Sequence, residues 1–390
     1  MHSPHFDFIV IGAGMAGASV AAELSAKGKV LLVERESQPG FHATGRSAAA
    51  FIPSYGADKP ALRQLTQVSR SLLLHPPSDF SPSSLLQPRG LLTLLGDSDL
   101  IKAEAERQEL NRYLGDAVSP LSAEQVRGHI SGISANWGQP GWWEQDVYDI
   151  DVHGLHQAYL KVLKRNGGLL LTGCEWWCTR RFGVWQLSHD DNRYAAPIMV
   201  NAAGAWGDEF ARSVDIPAIG LTPKRRTAIL IEPPAGVLSD DLPLILAHDE
   251  SFYLKPDAGR LMVSPADEHP SEPCDAQPEE IDIAYAAHYA EQLFADFKIK
   301  HIAHSWAGLR TFAPDRLPVI GFDHHVDGFF WCVGQGGHGI QTAPAIAALS
   351  SALITDNKTS DTLAALGFDA AWVSPQRFNN DNNKLANTAN

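Results

Sequence analysis

Six residues near the start of the chain, Gly12-Ala13-Gly14-Met15-Ala16-Gly17, stand between a β-rich run, Phe6 to Val10, and a helix-forming run, Ala18 to Lys27. A second apolar run, Val30 to Val33, ends in Glu34. Glycines at this spacing suit the binding of a diphosphate: Gly12 makes the tight turn, Gly14 lets backbone approach the pyrophosphate, and Gly17 lets helix and strand pack closely. The free N–H groups and positive dipole end at the helix start complete an anion site. Glu34 lies 22 residues after Gly12 and is placed to accept hydrogen bonds from an adenosine ribose. An acid there repels a 2′-phosphate, which argues against NADP. The glycine pattern alone is a weak signal; strand, helix and acid in register make it specific.

A second strand, glycine loop and helix close the chain: Phe329 to Val333, Gly334-Gln335-Gly336-Gly337-His338-Gly339, and Ala345 to Ile354. No acid ends a following strand, so a second adenosine is not expected. A positive helix end there suits the side of an isoalloxazine that becomes negative on reduction; a structural turn packed in a core is the other reading. Between the two units, Leu155 to Arg165 reads as a helix, Leu169 to Trp177 as a strand and Ile198 to Asn201 as a buried strand. The small-residue turn Ala202-Ala203-Gly204-Ala205-Trp206 follows, where backbone or a ligand can come close.

The remaining stretches are of different fabric. Residues 53–144 hold the Pro/Ser cluster Pro76 to Pro88, a polar helix near Ser98 to Gly115 and a capped helix start at Ser122-Ala123-Glu124-Gln125. Residues 216–304 read as antiparallel strands, Thr227 to Glu232, Phe252 to Lys255 and Leu261 to Ser264, with a helix over Glu280 to Phe297. The expected fold is therefore α/β. A Rossmann-like cofactor domain is built from 1–52, 145–215 and 305–375, and 53–144 with 216–304 form an interleaved α+β substrate domain on an antiparallel sheet. Residues 376–390, with an Asn-rich end, are expected to be a disordered tail.

Composition narrows the class. The 390 residues carry 31 Lys plus Arg against 45 Asp plus Glu, a net charge of −14, which argues against nucleic acid or an anionic membrane as the main partner. No apolar run is long enough for a transmembrane segment. Four cysteines suit a reducing compartment; Cys174 and Cys178 read as buried neighbours on one strand face. The pairs His153/His156 and His301/His304 lack further ligands at zinc-like spacing, so no metal is expected.

The chain resembles the D-amino-acid oxidase family of FAD-dependent amine oxidoreductases. The family-wide marks are the Gly12–Gly17 turn with Glu34, Trp306-Ala307-Gly308-Leu309-Arg310, and Pro314-Asp315-Arg316-Leu317-Pro318-Val319-Ile320-Gly321. Within the family it is most similar to the bacterial D-arginine dehydrogenase type. The closer marks are Gly45-Arg46-Ser47-Ala48-Ala49, Val200 to Trp206, Pro223-Lys224-Arg225-Arg226, Asp249 to Gly259, and Gly336-Gly337-His338-Gly339-Ile340-Gln341-Thr342.

The resemblance implies non-covalent FAD, because the family's covalent attachment uses a cysteine near the C-terminal flavin site, whereas Cys332 lies before the glycine loop. It implies that Gly12, Gly14, Ala16, Gly17, Glu34 and Arg35 hold adenosine and diphosphate, and that Thr44, Arg46, Ser47 and Ala48 pass along the diphosphate toward the ring. A strand with Glu175 and Trp176 would face adenine, with Ala203 and Gly204 close by. Gly337, Gly339, Ile340 and Gln341 would sit at the pyrimidine edge. Arg310 and Arg226 match arginines that bind the substrate carboxylate, while Arg225 alternates to the opposite strand face and reads as a salt-bridge residue. Tyr253 matches a tyrosine beside the substrate and Tyr55 one on a mobile loop over it.

The departures bear on the substrate. Leu91 stands where arginine-preferring relatives carry a carboxylate, with no acid in Leu92 to Gly96; Ala50 replaces a histidine and His338 a tyrosine. An unpartnered guanidinium in such a pocket is costly, so a neutral or apolar side chain is expected. The implied activity is oxidation of a free amino acid, of the D series, by hydride transfer to flavin N5, giving an imino acid and then a 2-oxo acid and ammonia. No side chain is obliged to act as base. The alternatives are a glycine/sarcosine-type amine oxidase, a 2-hydroxy-acid dehydrogenase on the same fold, and a flavoprotein subunit without turnover. The acceptor (oxygen, a quinone or another), the D or L hand and the oligomeric state stay open. A cytoplasmic location is expected, with association at the inner membrane as a variant.

Overall fold

The computed structural model describes residues 5–237, 240 and 242–378. A six-stranded sheet forms the cofactor half, in the order Val319–Phe322, Phe329–Val333, Ile198–Asn201, Phe8–Ile11, Val30–Val33, Leu169–Leu171. All neighbours are parallel except the first pair. Its inner strands are buried on both faces, which is why they read as unbroken apolar runs rather than alternating ones. On one face lie the helices Met15–Ser25 and Ala343–Asp356. Both are rich in Ala and Ser, whose small side chains let the helix backbones approach the sheet and each other. On the other face Trp185, Leu187 and Ala196, from the three-stranded meander of 177–181, 184–189 and 192–196, pack against Ile9, Leu31 and Met199.

The substrate half is a nine-stranded, mostly antiparallel sheet. Its longest pairing joins Thr222–Ile231 to Ile302–Phe312, setting Lys224 opposite Arg310 and Arg226 opposite Gly308. Helices 100–114 and 123–129 flank it with the expected stops. The Asp99 carboxylate accepts from the N–H groups of Ile101 and Lys102, Gly115 closes the first helix at φ +64°, and Ser122 with Gln125 forms a reciprocal capping box.

Several boundaries differ from the sequence reading. Leu169 to Trp177 is two strands, Leu169–Leu171 and Trp177–Arg181, in different sheets, so Cys174, Glu175 and Trp176 lie in the connecting loop and Cys174 does not share a strand face with Cys178. The Gly173 turn, at φ +76°, breaks the run. The helix at Glu280 stops at Leu293. An unexpected amphipathic helix, Pro60–Leu74, buries Ala61 and Leu65 in the same core as Val20 and Ile346, so part of the inserted stretch packs on the cofactor half. Of the expected tail, 376–378 belongs to an ordered 3-10 turn in which Arg377 pairs with Asp315; 379–390 lies outside the described residues.

Candidate functional site

A cavity of about 1290 Å³ runs between the two halves. At one end it is lined by Gly12, Gly14, Ala16, Glu34, Arg35, Glu175, Trp176, Ala203 and Gly204; Thr44, Arg46, Ser47 and Ala48 also line it, Thr44 accepting from the Met15 N–H at 2.9 Å. At the far end it meets Gly337, His338, Gly339, Ile340 and Gln341, with Tyr55, Arg226, Tyr253 and Arg310 facing them. Two expected residues do not line it. Gly17 lies beneath the turn, where an added Cβ would come within 1.8 Å of the Gly12 carbonyl oxygen. Leu91 is buried in the sheet opposite Leu244 and Glu144, so its neutral side chain does not set the cavity's chemistry; Leu244 and Leu246 line the cavity instead.

The glycine end is shaped by backbone. Gly12 adopts φ +93°, and a Cβ there would lie 2.6 Å from the Ala202 carbonyl oxygen, so both turn glycines are fixed by close approach. Neither helix that starts at the cavity, Met15–Ser25 or Ala343–Asp356, has an acid in its first turn, which leaves both positive ends unneutralised by their own residues. Glu34 braces the loop: its carboxylate accepts from the N–H of Ala13 at 2.8 Å and of Glu36 at 3.0 Å. His156 reaches the Ala13 carbonyl from below at 2.9 Å, and burial lowers its pKa. The Trp176 indole N–H is buried without a partner beside this end, a donor left for a ligand. Length, glycine cradle, unneutralised helix ends and spare donor together fit an extended dinucleotide.

Some side chains expected on the cofactor are spent elsewhere. The Arg46 guanidinium pairs with Asp275 and donates to the carbonyls of Ala276 and Ala307 at 3.0 Å, and its own N–H donates to the His42 carbonyl at 3.2 Å, so its polar groups are committed within the protein. Arg35 bonds Glu36 and lies 4.5 Å over the Trp206 ring. Gln341 donates to Thr66 and accepts from the Ile52 N–H, tying the 52–59 loop to helix 60–74. Cys332 is buried within its strand, outside the cavity lining, and burial pushes its thiol up to about 12.

The opposite end is shaped by charge. Register puts Lys224, Arg226 and Arg310 on one face of the paired strands. Arg225 points to the other, where it pairs with Glu279 and Asp282, as alternation predicts. Arg226 donates through Nε to the Asp267 carbonyl at 2.8 Å and lies 5.8 Å over the Tyr253 ring. Burial pushes the Tyr253 phenol up, yet Arg310 and Arg226 hold it below its ordinary value. The Arg310 guanidinium has no hydrogen-bond or ion-pair partner among the described residues.

Over this end the Tyr55 ring stacks on His338 at 4.1 Å and 10°. Burial, and then the nearby Arg310, lower the His338 pKa to about 3, so the imidazole is neutral at working pH, and its Nε2 is buried without a partner. Ser54, beside Tyr55, donates to Glu144 at 2.8 Å; burial raises that carboxyl to about 7. Glu250, Glu268 and Arg316 also line the cavity and were not singled out from the sequence as site residues. Arg316 and Glu250 stood within quoted motifs, but Glu250 and Glu268 lie outside the strands whose alternation assigns faces.

A sequence pattern described as "DAO: FAD dependent oxidoreductase" matches residues 7–353. The chain is 26% identical over 397 residues to the bifunctional protein ThiO/ThiG of Synechocystis, covering 95% of this chain and 54% of the relative; it thus spans about half of that protein's length. It is 25% identical to glycine oxidase of Bacillus licheniformis, over 90% of this chain and 94% of the relative. Among solved structures it is similar to L-proline dehydrogenase from P. horikoshii, with TM-score 0.82, 20% identity, and 97% and 99% of the two chains covered. Glycine oxidase from Geobacillus kaustophilus gives TM-score 0.81, 20% identity, and 95% and 98% covered. The D-arginine dehydrogenase type, to which the sequence motifs pointed, is not shown by these similarities. The family match covers most of the chain, including both glycine loops and Arg310, and with the cradle that fits a dinucleotide it places this protein in the DAO family of FAD-dependent oxidoreductases.

Proposed function

We propose that the protein oxidises the amine of a free amino acid, of the D series and with a neutral or apolar side chain, to an imino acid that water hydrolyses to a 2-oxo acid and ammonia. One observation carries this reading. Of the three guanidinium groups at the substrate end, Arg226 and Arg316 have acidic partners and Arg310 has none among the described residues. A buried or half-buried guanidinium without an anion is unstable until one arrives, and a carboxylate fits its planar fork with two parallel hydrogen bonds.

Bound FAD would supply the two-electron acceptor for the α-hydrogen and its electron pair. The chain's own residues orient the amino acid for that event. Arg310 takes the carboxylate, Arg226 stays within reach of it, and the Tyr253 phenol, made more acidic by both, donates a stronger hydrogen bond than a free tyrosine. The Tyr55–His338 stack roofs the site, and the neutral imidazole adds no positive charge against a substrate ammonium. Leu244 and Leu246 offer apolar lining for the side chain. The D hand rests on the motif resemblance alone.

The glycine oxidase relative supports a second reading, a glycine or secondary-amine oxidase, which needs the same Arg310 and a smaller substrate. An anaerobic screen over both enantiomers of the amino acids, glycine and N-methyl amines separates them. Bleaching of the flavin absorbance by D-Leu, D-Met or D-Phe well ahead of D-Arg is expected. Preference for glycine or sarcosine establishes the second reading, and no bleaching with any amine refutes both.

A further inference from the structure

Glu268 is the meeting point of the cations at the substrate end. Arg316 binds it with both terminal nitrogens, Nη1 to Oε2 at 3.0 Å and Nη2 to Oε1 at 2.9 Å. Lys224 Nζ reaches Oε2 at 2.9 Å, and Arg226 Nη2 lies 3.4 Å from Oε1. Three cations from two segments of chain therefore surround one carboxylate that itself lines the cavity. Burial raises the pKa of this group, but Arg316 and Lys224 overcome it and hold the carboxyl down at about 2, so it is ionised throughout the working range. This is the coordination a protein offers to a bound ligand carboxylate, two parallel bonds from an arginine and one from a lysine. Here the chain supplies the anion itself, next to an Arg310 that has none.

We propose that Glu268 determines specificity by filling the place where the second carboxylate of a dicarboxylic substrate would sit, so that the cavity accepts one carboxylate, on Arg310, and rejects two. This rests on the reading of Arg310 as the substrate-carboxylate residue. With Glu268 present, a second ligand carboxylate meets a fixed like charge, and the nearest cations are already committed. Without it, Lys224 and Arg316 become a second anion site beside the first.

The test compares equilibrium binding of butyrate and succinate to the FAD-loaded enzyme, read from the perturbation of the flavin spectrum without turnover. In Glu268→Gln, which keeps the side chain's size, the succinate-to-butyrate affinity ratio is expected to rise about tenfold or more, and Glu268→Asp is expected to restore the wild-type preference. Arg316→Gln, which leaves Glu268 less neutralised, is expected to move the ratio the opposite way, and it decides the matter if Glu268→Gln does not fold. A ratio unchanged in the variant that folds, or both affinities falling together, overturns the proposal and makes Glu268 a structural ion-pair residue. Failure of the amine-oxidation reading is seen separately, as absence of flavin bleaching by every amine in the wild type.

Discussion

The two ends of the cavity are made of different material. At the dinucleotide end, recognition is built from backbone: Gly12 and Gly17 sit where a Cβ would strike main-chain atoms, the Met15–Ser25 helix start carries no acid in its first turn, and charged side chains such as Arg46 and Glu34 brace the protein itself. At the substrate end, Lys224, Arg226 and Arg310 stand on a rigid paired sheet, and all but Arg310 of the guanidiniums there are balanced by Glu268, which reaches in from outside the strands. Backbone that conforms to a constant diphosphate tolerates little change, whereas side chains on strands can be exchanged without disturbing the ladder. Specificity can therefore vary at one end while the cofactor stays the same at the other.

The sharpest break of this contrast is Gly17→Ala. Its Cβ would lie 1.8 Å from the Gly12 carbonyl oxygen, a backbone atom that cannot swing aside, so the turn and the helix start must separate. The expected cost exceeds about 3 kcal/mol, with FAD lost during purification and a lowered melting temperature. Wild-type FAD content and melting temperature would show the cradle to be looser than its geometry.

These two materials also decide what the sequence revealed. The cradle's signature is local, with strand, glycine turn, helix and acid adjoining within about 30 residues, so the cofactor half was legible from the Gly12 turn, Glu34 and the C-terminal glycine loop, although the Ala202 carbonyl that closes on Gly12 comes from far along the chain. The substrate end is assembled by pairing across about 80 residues of chain, since Arg226 meets the strand of Arg310, and Glu268 reaches Arg316 from a turn with no periodicity. Of the residues the motif resemblance named for the substrate end, Arg226, Arg310 and Tyr253 line the cavity and Leu91 does not. Position 91 was matched to the relatives' carboxylate position by motif, whereas burial in the sheet is a tertiary fact. Helix 60–74 carries weak start signals: Lys59 at its N-cap makes no side-chain cap and no acid stands in its first turn, and Pro60, well tolerated there, reads equally as part of a loop.

Arg310→Met breaks the other end in a complementary way. It keeps the stem's packing and removes the charge, so FAD content and the flavin spectrum are expected to stay as in the wild type while kcat/KM for the best amino acid falls about 10²- to 10³-fold, the loss of roughly 3–4 kcal/mol from a paired charged contact. Weaker binding of simple carboxylates by a similar factor should accompany it. If butyrate binds Arg310→Met as well as the wild type, the unpaired guanidinium is not the carboxylate site.

The smallest expected effect lies where the two ends touch. Gly337 belongs to the second glycine loop, but what its missing side chain makes room for is Tyr55: a Cβ there would stand 2.5 Å from the phenol oxygen and 3.2 Å from the ring. Gly337 does not require a left-handed backbone, so Gly337→Ala acts by steric contact with the end of a side chain on the 52–59 loop, and the loop can yield. Displacing Tyr55 unstacks it from His338 and opens the roof to water, with KM expected to rise about tenfold, about 1.4 kcal/mol. If that loss acts only through Tyr55, replacing the tyrosine first should remove most of it. Tyr55→Ala and Gly337→Ala are then strongly non-additive, and the double variant is little worse than Tyr55→Ala alone. Additive losses would instead place the effect of Gly337 on the cofactor side, making this loop part of the backbone cradle rather than the hinge between the cavity's two materials.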